Sequence, residues 1–324
     1  MAEVIDSYGR HLNYVRISVT DRCNFRCSYC MPPEGVQEID HAEIMRYEEI
    51  LRLCVVFREL GVRKFRFTGG EPLVRKDIVS FLAELRFQLP DVKIAMTTNG
   101  FLLKKYAQQL ADVGIDSLNI SLDTLDCDKF SSITRVDGLE KVFSGIKASV
   151  KSGIKNIKIN TVLIKGFNDT EIPELLKFSK KAGVLLRLIE FMPLQDSIWN
   201  EKHFISSNEM LRILQGMGEW KLEDSFAFED GPAKYYCNAK NGDRIGIIAA
   251  VSHHFCDSCN RLRVSASGNL RTCLFSPQEF PLRALIRNPD TAKLKNAIFE
   301  QIKSKPKCWR DIRTGKSHMS SIGG

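Results

Sequence analysis

The stretch Tyr14-Val-Arg-Ile-Ser-Val-Thr-Asp-Arg-Cys23-Asn-Phe-Arg-Cys27-Ser-Tyr-Cys30 decides the fold, because a β-branched run passes directly into a loop holding three cysteines. Working outward, strand-like runs recur at 64–68, 93–97, 117–121, 157–162 and 185–190. Between them lie helical patterns, with Ile50, Leu53, Phe57 and Leu60 on one apolar face and Leu139, Val142, Ile146 and Val150 on another. Six strand–helix units in series predict a parallel sheet with right-handed crossovers. Periodicity does not choose between an open doubly wound sheet and an incomplete barrel.

Either way, chemistry in parallel α/β folds sits at the carboxyl ends of the strands. The cysteine loop follows the first run, and Gly69-Gly70-Glu71-Pro72 follows the second. Thr97-Thr98-Asn99-Gly100 closes the third, Ser121 the fourth, and Glu190-Phe191-Met192-Pro193 the sixth. After about residue 220 short alternating runs at 233–238, 244–249 and 260–265 predict a small, strand-rich extension. The expected division is therefore 1–220 for the α/β part and 221–324 for the extension. The polar end, 316–324, reads as a mobile terminus.

The bulk composition is that of a globular protein of 324 residues, 44 % hydrophobic and 27 % charged. Nothing near 18 apolar residues runs together, so no membrane helix is expected. MAEVIDSYGR carries acids and lacks an apolar run, so it does not read as a signal peptide, and a cytoplasmic location is expected. A net charge of +8 suits a polyanionic partner, whether nucleic acid or a phosphorylated small molecule. Of ten cysteines, six fall in two tight groups, which in a reducing compartment points to metal or redox chemistry. Cys54 reads as core packing, and Cys127, Cys237 and Cys308 receive no role.

Cys23, Cys27 and Cys30 offer three thiolates from one loop. Structural zinc wants four ligands, and only His11 and His41 stand near. Three thiolates suit a [4Fe–4S] cube with one iron open. The second group, Cys256, Cys259 and Cys273, is less decided. His253 and His254 stand beside it, so a Cys3His zinc site competes with a cluster there.

VTDRCNFRCSYC, with Tyr29 before its third cysteine, resembles the cluster loop of radical S-adenosylmethionine (SAM) enzymes, and TGGEP resembles that superfamily's glycine-rich segment. Glycine there lets backbone approach a ligand closely. SHHFCDSCNRLRVSASGNLRTCLF resembles the second cluster motif of GTP 3′,8-cyclases, and the likeness runs from DSYGRHLNYVRISVTDRCNFRCSYCMP to the terminal MSSIGG. Two departures are visible. IGIIAAVS (245–252) replaces a phenylalanine- and proline-bearing segment, and KPKCW (305–309) stands where the family usually has a histidine.

The resemblance implies an incomplete (β/α)6 barrel closed by the extension, two [4Fe–4S] clusters and S-adenosylmethionine. Cys23, Cys27 and Cys30 would hold the first cluster; Cys256, Cys259 and Cys273 would hold the second, where the purine lands. Tyr29, Gly70, Ser121 and Met192 match residues that bind S-adenosylmethionine. Arg16, Arg66, Thr97, Lys158 and Arg261-Leu262-Arg263 match those that bind GTP. A strand-borne cation is costly unless paired, which fits a polyanion pocket. Arg261 and Arg263, two apart, share a strand face. Gly323 and Gly324 would reach the site as a catalytic tail.

The implied reaction is a lyase's. A deoxyadenosyl radical takes hydrogen from ribose C3′, the C3′ radical adds to guanine C8, and reduction gives a 3′,8-cyclised dihydro-GTP, the first step of molybdenum cofactor biosynthesis. It requires a low-potential one-electron donor and a downstream pterin-forming enzyme, excludes nucleic acid and membrane as partners, and leaves a homodimer open. Two rival readings stand beside it: a radical SAM peptide maturase, which would carry more C-terminal cysteines, and a basic nucleic-acid-binding module with two zinc sites.

Overall fold

The structure is a computed structural model that describes residues 4–35, 38–194, 198–223 and 231–312. One sheet of twelve strands organises it. The strands are β1 (Tyr14–Ser18), β2 (Lys64–Thr68), β3 (Lys93–Thr98), β4 (Ser117–Ser121), β5 (Ile157–Leu163), β6 (Leu185–Glu190), β7 (Trp220–Leu222), β8 (Lys234–Asn238), β9 (Arg244–Ile248), β10 (Arg261–Val264), β11 (Asn269–Arg271) and β12 (Phe280–Pro281). Their order across the sheet is β12-β11-β10-β1-β2-β3-β4-β5-β6-β9-β8-β7.

β1 to β6 pair in parallel, each joined to the next by helices such as Tyr47–Glu59, Leu103–Asp112 and Ile172–Ala182. The predicted runs match these six strands to within one residue; in YVRIS, KFRFT and SLNIS apolar residues that enter the core alternate with polar ones that line the barrel interior, so both faces are buried. This is the expected partial α/β barrel. Cys54 is fully buried in the core.

The extension is strand-rich, as expected, and it joins the barrel's sheet rather than forming one of its own. β9 adds in parallel beyond β6, and β10 adds in parallel beyond β1, so the barrel's own sheet continues at both edges. β8 and β7 then finish one side antiparallel, and β11 and β12 the other. Two helices, Arg283–Arg287 and Thr291–Lys303, also belong to it. Ile286 of the first and Leu294, Ile298 and Ile302 of the second join the main core, the latter three a 3.6-period signal that the strand-rich reading passed over.

Buried Glu190 at the end of β6 fastens this part on. Its carboxylate accepts from Ser207 N and Val251 N, both at 2.7 Å, from Ser252 N at 2.9 Å, and from the Ser252 hydroxyl. Arg10 does the same at the N-terminus. Paired with buried Asp6 at 2.6 Å, it donates to the carbonyls of Cys256, Pro306 and Lys307.

Candidate active site

A cavity of about 520 Å³ runs through the barrel, from the carboxyl ends of the strands, where Cys23, Cys27 and Cys30 line it, to their amino ends, where Tyr14, Lys64 and Ser117 line it together with Cys256, Cys259 and Cys273. Cys23, Cys27 and Cys30 lie on the loop after β1, closed by Cys30 N and Met31 N donating to Cys27 O at 2.9 and 3.0 Å. Burial pushes the Cys23 thiol up to about 11 and Cys27 well above its ordinary value. Phe25 N and Asn99 Nδ2 donate to the Cys23 sulfur at 3.4 and 3.9 Å. Thiols from one loop that line one cavity, costly to ionise alone at Cys23 and Cys27 and met at Cys23 by N–H donors, fit an iron–sulfur cluster that takes them as thiolates.

Gly69-Gly70 presses against this loop. A Cβ at Gly70 would come within 2.2 Å of Arg22 O, and one at Gly69 within 2.4 Å of Thr20 O. Glycine is therefore required by contact with the cysteine loop, with Gly70 N donating to Thr20 O at 2.8 Å. Glu71 locks the turn. Buried, its carboxylate accepts from Leu73 N, Thr98 Oγ1 and Asn99 N at 3.0, 2.7 and 2.7 Å, and burial raises it to about 7.

Tyr29, Gly70, Ser121 and Met192 line the cavity on the same side as the first cysteine loop's neighbours β2, β4 and β6. The Tyr29 hydroxyl donates to Asp123 Oδ2 at 2.6 Å, and its ring meets Phe191 edge-on at 6.4 Å. Val162 N donates to the other Asp123 oxygen at 2.8 Å. Burial raises the Asp123 carboxyl to about 6.

The rest of the wall is cationic. Arg16 stands level with Arg66 on β2 and with Arg263 on β10, so three guanidinium-bearing positions run across three adjacent strands. Arg261 and Lys158 line the same space, as does Thr97. Arg66 is held by Tyr14 Oη, Met96 O and Ser117 Oγ at 2.7, 2.7 and 3.0 Å. Burial lowers Arg263 to about 10, helped by Arg261, and holds Arg16 well below its ordinary value, with Arg263 beside it. For Tyr14 burial acts upward, but Arg66, Arg16, Arg261 and Lys64 together hold its hydroxyl down to about 7. Among the described residues lining the cavity, the acids are Glu71 and Asp123 alone. Leu262 is the exception among the predicted residues. It alternates to the opposite face of β10 and is buried in the core, leaving only its backbone on the site side. Gly323 and Gly324 lie outside the described residues.

At the far wall Cys256 lies on the turn Cys256–Ser258, Cys259 just before β10 and Cys273 just after β11. Lys305 Nζ sits 3.6 Å from Cys259 Sγ and donates to Arg261 O and Thr272 O at 2.9 and 2.6 Å. Burial would raise Cys259, but Lys305 and Arg261 bring it down to about 7. Cys256 lacks such a cation at its sulfur, and burial pushes it up to about 11. Sequence reasoning missed Glu71, Asp123 and Lys305 as site residues, and also Arg187, whose guanidinium grips Asn160 Oδ1 at 2.7 and 2.9 Å on the cavity wall. Arg187 had a signal, being a charge inside a β-branched run. Lys305 had none.

Residues 17–179 match the Radical SAM superfamily model, and 184–310 match the model for Molybdenum Cofactor Synthesis C. GTP 3′,8-cyclase of Thermodesulfovibrio yellowstonii is 42 % identical over 323 residues, covering 98 % of this chain and 99 % of that one. Molybdenum cofactor biosynthesis protein 1 of Drosophila melanogaster is 43 % identical over 292 residues, 89 % of this chain and 51 % of that one. Among solved structures, Streptococcus suis SuiB bound to precursor peptide SuiA superposes with a TM-score of 0.67 over 98 % of this chain and 71 % of that one; at 15 % identity it speaks for the fold alone. The cysteine loop, the glycine turn locked onto it and relatives matched end to end agree: the chain belongs to the radical SAM superfamily and, within it, to the GTP 3′,8-cyclase family.

Proposed function

We propose that this chain cyclises GTP between ribose C3′ and guanine C8, with S-adenosylmethionine and a [4Fe–4S] cluster on Cys23, Cys27 and Cys30, and with a second [4Fe–4S] cluster on Cys256, Cys259 and Cys273. The observation that carries the reading is the row of cations on β10, β1 and β2, in the same cavity as the first cysteine loop. Buried cations that depress one another are relieved by a polyanion, and guanidinium forks suit phosphate oxygens. A triphosphate held on Arg16, Arg66, Lys158, Arg261 and Arg263 supplies that charge.

When bound, the first cluster and S-adenosylmethionine supply one-electron cleavage and a primary carbon radical. The chain's own residues hold and shield. Tyr29, pinned by Asp123, walls the cofactor side together with Gly70, Ser121 and Met192. Glu71 keeps the glycine turn and the Thr98-Asn99 turn in one piece around Cys23. The enclosing strands exclude water from a reactive intermediate. Lys305 and Arg10 hold the segments bearing Cys259 and Cys256 and favour thiolate at Cys259.

Anaerobic incubation of the reconstituted chain with GTP, S-adenosylmethionine and a low-potential reductant should yield deoxyadenosine and the 3′,8-cyclised nucleotide by mass spectrometry. Iron and sulfide should correspond to two clusters per chain. Zinc in both cysteine groups, with no turnover, would overturn the reading.

A further inference from the structure

Cys308 takes no part in the reaction above, yet it sits against a residue that does. We propose that His254, Cys256 and Cys308 form a mononuclear site for a thiophilic divalent cation of the zinc class. The site stands on its own geometry. Its consequence, competition with the second cluster for Cys256, rests on the cluster reading given above.

The donor atoms of the three residues all lie within 4.8 Å of one another, and Cys308 Sγ is 3.5 Å from His254 Nε2. Zinc bonds of about 2.3 Å to sulfur and 2.0–2.1 Å to nitrogen, set tetrahedrally, place those two donors about 3.5 Å apart. Among the described residues this trio is the group of three such donors close enough for one ion. The two cysteine triads are not so gathered, as befits thiolates that end on separate irons of a cluster.

The trio is held together by parts that are otherwise remote in the chain. Arg10 donates to Cys256 O on one side and to Pro306 O and Lys307 O on the other, at 2.8, 2.7 and 3.0 Å, so one guanidinium joins the two segments that carry the sulfurs. Trp309, next to Cys308, stacks on Phe275 with centroids 4.6 Å apart. Both sulfurs receive backbone N–H groups, Cys308 from Arg310 N at 3.5 Å and Cys256 from Trp309 N. Hydrogen bonds to sulfur favour the thiolate a metal needs. Two thiolates and an imidazole select zinc over magnesium or calcium and leave the fourth position to water. Binding releases the two thiol protons to solvent and changes no oxidation state. Once Cys256 is committed to such an ion, the triad for the second cluster lacks a ligand.

The test is cobalt(II) titration of the full chain, purified free of iron under anaerobic conditions, with Cys23, Cys27 and Cys30 changed to serine to silence the first loop. One cobalt per chain should give a tetrahedral spectrum with sulfur-to-metal charge transfer, displaced by zinc. Changing an outer-shell partner already costs about 10–100-fold in affinity, so His254→Ala and Cys308→Ser should each cost on the order of 100-fold or more. Cys259→Ser and Cys273→Ser should leave the spectrum unchanged. Cys308→His keeps a ligand while removing a sulfur, so it should hold cobalt with weaker charge transfer even where the serine variant fails to fold. Cobalt bound with undiminished charge transfer in Cys308→His, or lost in Cys259→Ser, would overturn the site. A second arm loads the unmodified chain with zinc before iron and sulfide are supplied. Iron uptake should fall by one cluster's worth and recover in Cys308→Ser. Full iron uptake beside retained zinc would overturn the competition while leaving the ion site standing.

Discussion

The two cysteine groups face one another across a single cavity, and they are built on opposite plans. The first comes from one loop after β1, with Cys23 and Cys27 disfavoured as thiolates by burial, and beside it stand the cavity's two acids, Glu71 and Asp123. The second is assembled from a turn, a strand start and a strand end, and Lys305, Arg261 and Arg10 favour thiolate at Cys259, whereas burial pushes Cys256 up to about 11. The difference teaches that cysteine spacing names a site only where one loop supplies every ligand. Where ligands come from several segments, the neighbours decide which metal chemistry is open, and here those neighbours include His254 and Cys308.

The sharpest way to break the comparison is to remove one ligand from each group. Cys27→Ala should abolish reductive cleavage of S-adenosylmethionine, read as loss of deoxyadenosine to background. Cys259→Ala should lose cyclisation and GTP binding while some uncoupled deoxyadenosine still forms. Complete loss of cleavage in Cys259→Ala, with the first cluster's spectrum intact, would merge the two roles into one.

Next in size is the tail. Gly323 and Gly324 lack any Cβ, so they suit a crowded pocket, and ordering them costs roughly 1–2 kcal/mol of backbone entropy each. Deleting both should leave fold, iron content and GTP affinity nearly unchanged while cyclised product falls by orders of magnitude. Full activity in the truncated chain would show that the tail takes no part.

A smaller effect separates the cationic wall from its neighbours. Arg263→Ala should weaken GTP about tenfold or more in calorimetry, since one charge-assisted contact contributes roughly 1.5–3 kcal/mol. S-adenosylmethionine affinity should barely move. Arg263→Lys should recover only part, because an ammonium cannot form the two-pronged contact. Equal loss of both ligands would mean that Arg263, buried and level with Arg16, holds the sheet rather than the substrate.

Much of the architecture was legible because the six barrel strands are locally encoded. Runs such as Lys64–Thr68 and Ser117–Ser121 are short and contiguous, and so are the motifs that follow them. Arg16, Arg66 and Lys158 stood out as charges inside such runs. What stayed hidden depends on contacts distant in sequence. That β9 and β10 extend the barrel sheet at its two edges is a matter of pairing between residues far apart in the chain, to which periodicity is blind. Lys305 looks like any lysine in a polar segment until the fold brings it to Cys259. Leu262 was carried along with its flanking arginines, although alternation along β10 turns its side chain into the core.

The smallest predicted effect tests the acidic side of the comparison. The Asp123 carboxyl rises from 3.8 to about 6, because burial disfavours its charge more than the Tyr29 hydroxyl and Val162 N–H favour it. Between about pH 4 and 6 the folded chain therefore keeps a proton that the unfolded chain has lost. This group's contribution to stability is complete below about pH 4 and disappears as pH rises through about 6. The amide introduced by Asp123→Asn cannot titrate, and it can still accept from Val162 N while the Tyr29 hydroxyl turns to accept from it. Relative to that variant, the unmodified chain should lose about 1.4 kcal/mol of unfolding free energy between pH 5 and 7.5. Denaturant unfolding of both chains across that range reads the difference directly. Parallel curves would mean that Asp123 stays ionised beside Tyr29, and the cofactor side would then carry a fixed negative charge opposite the cationic wall.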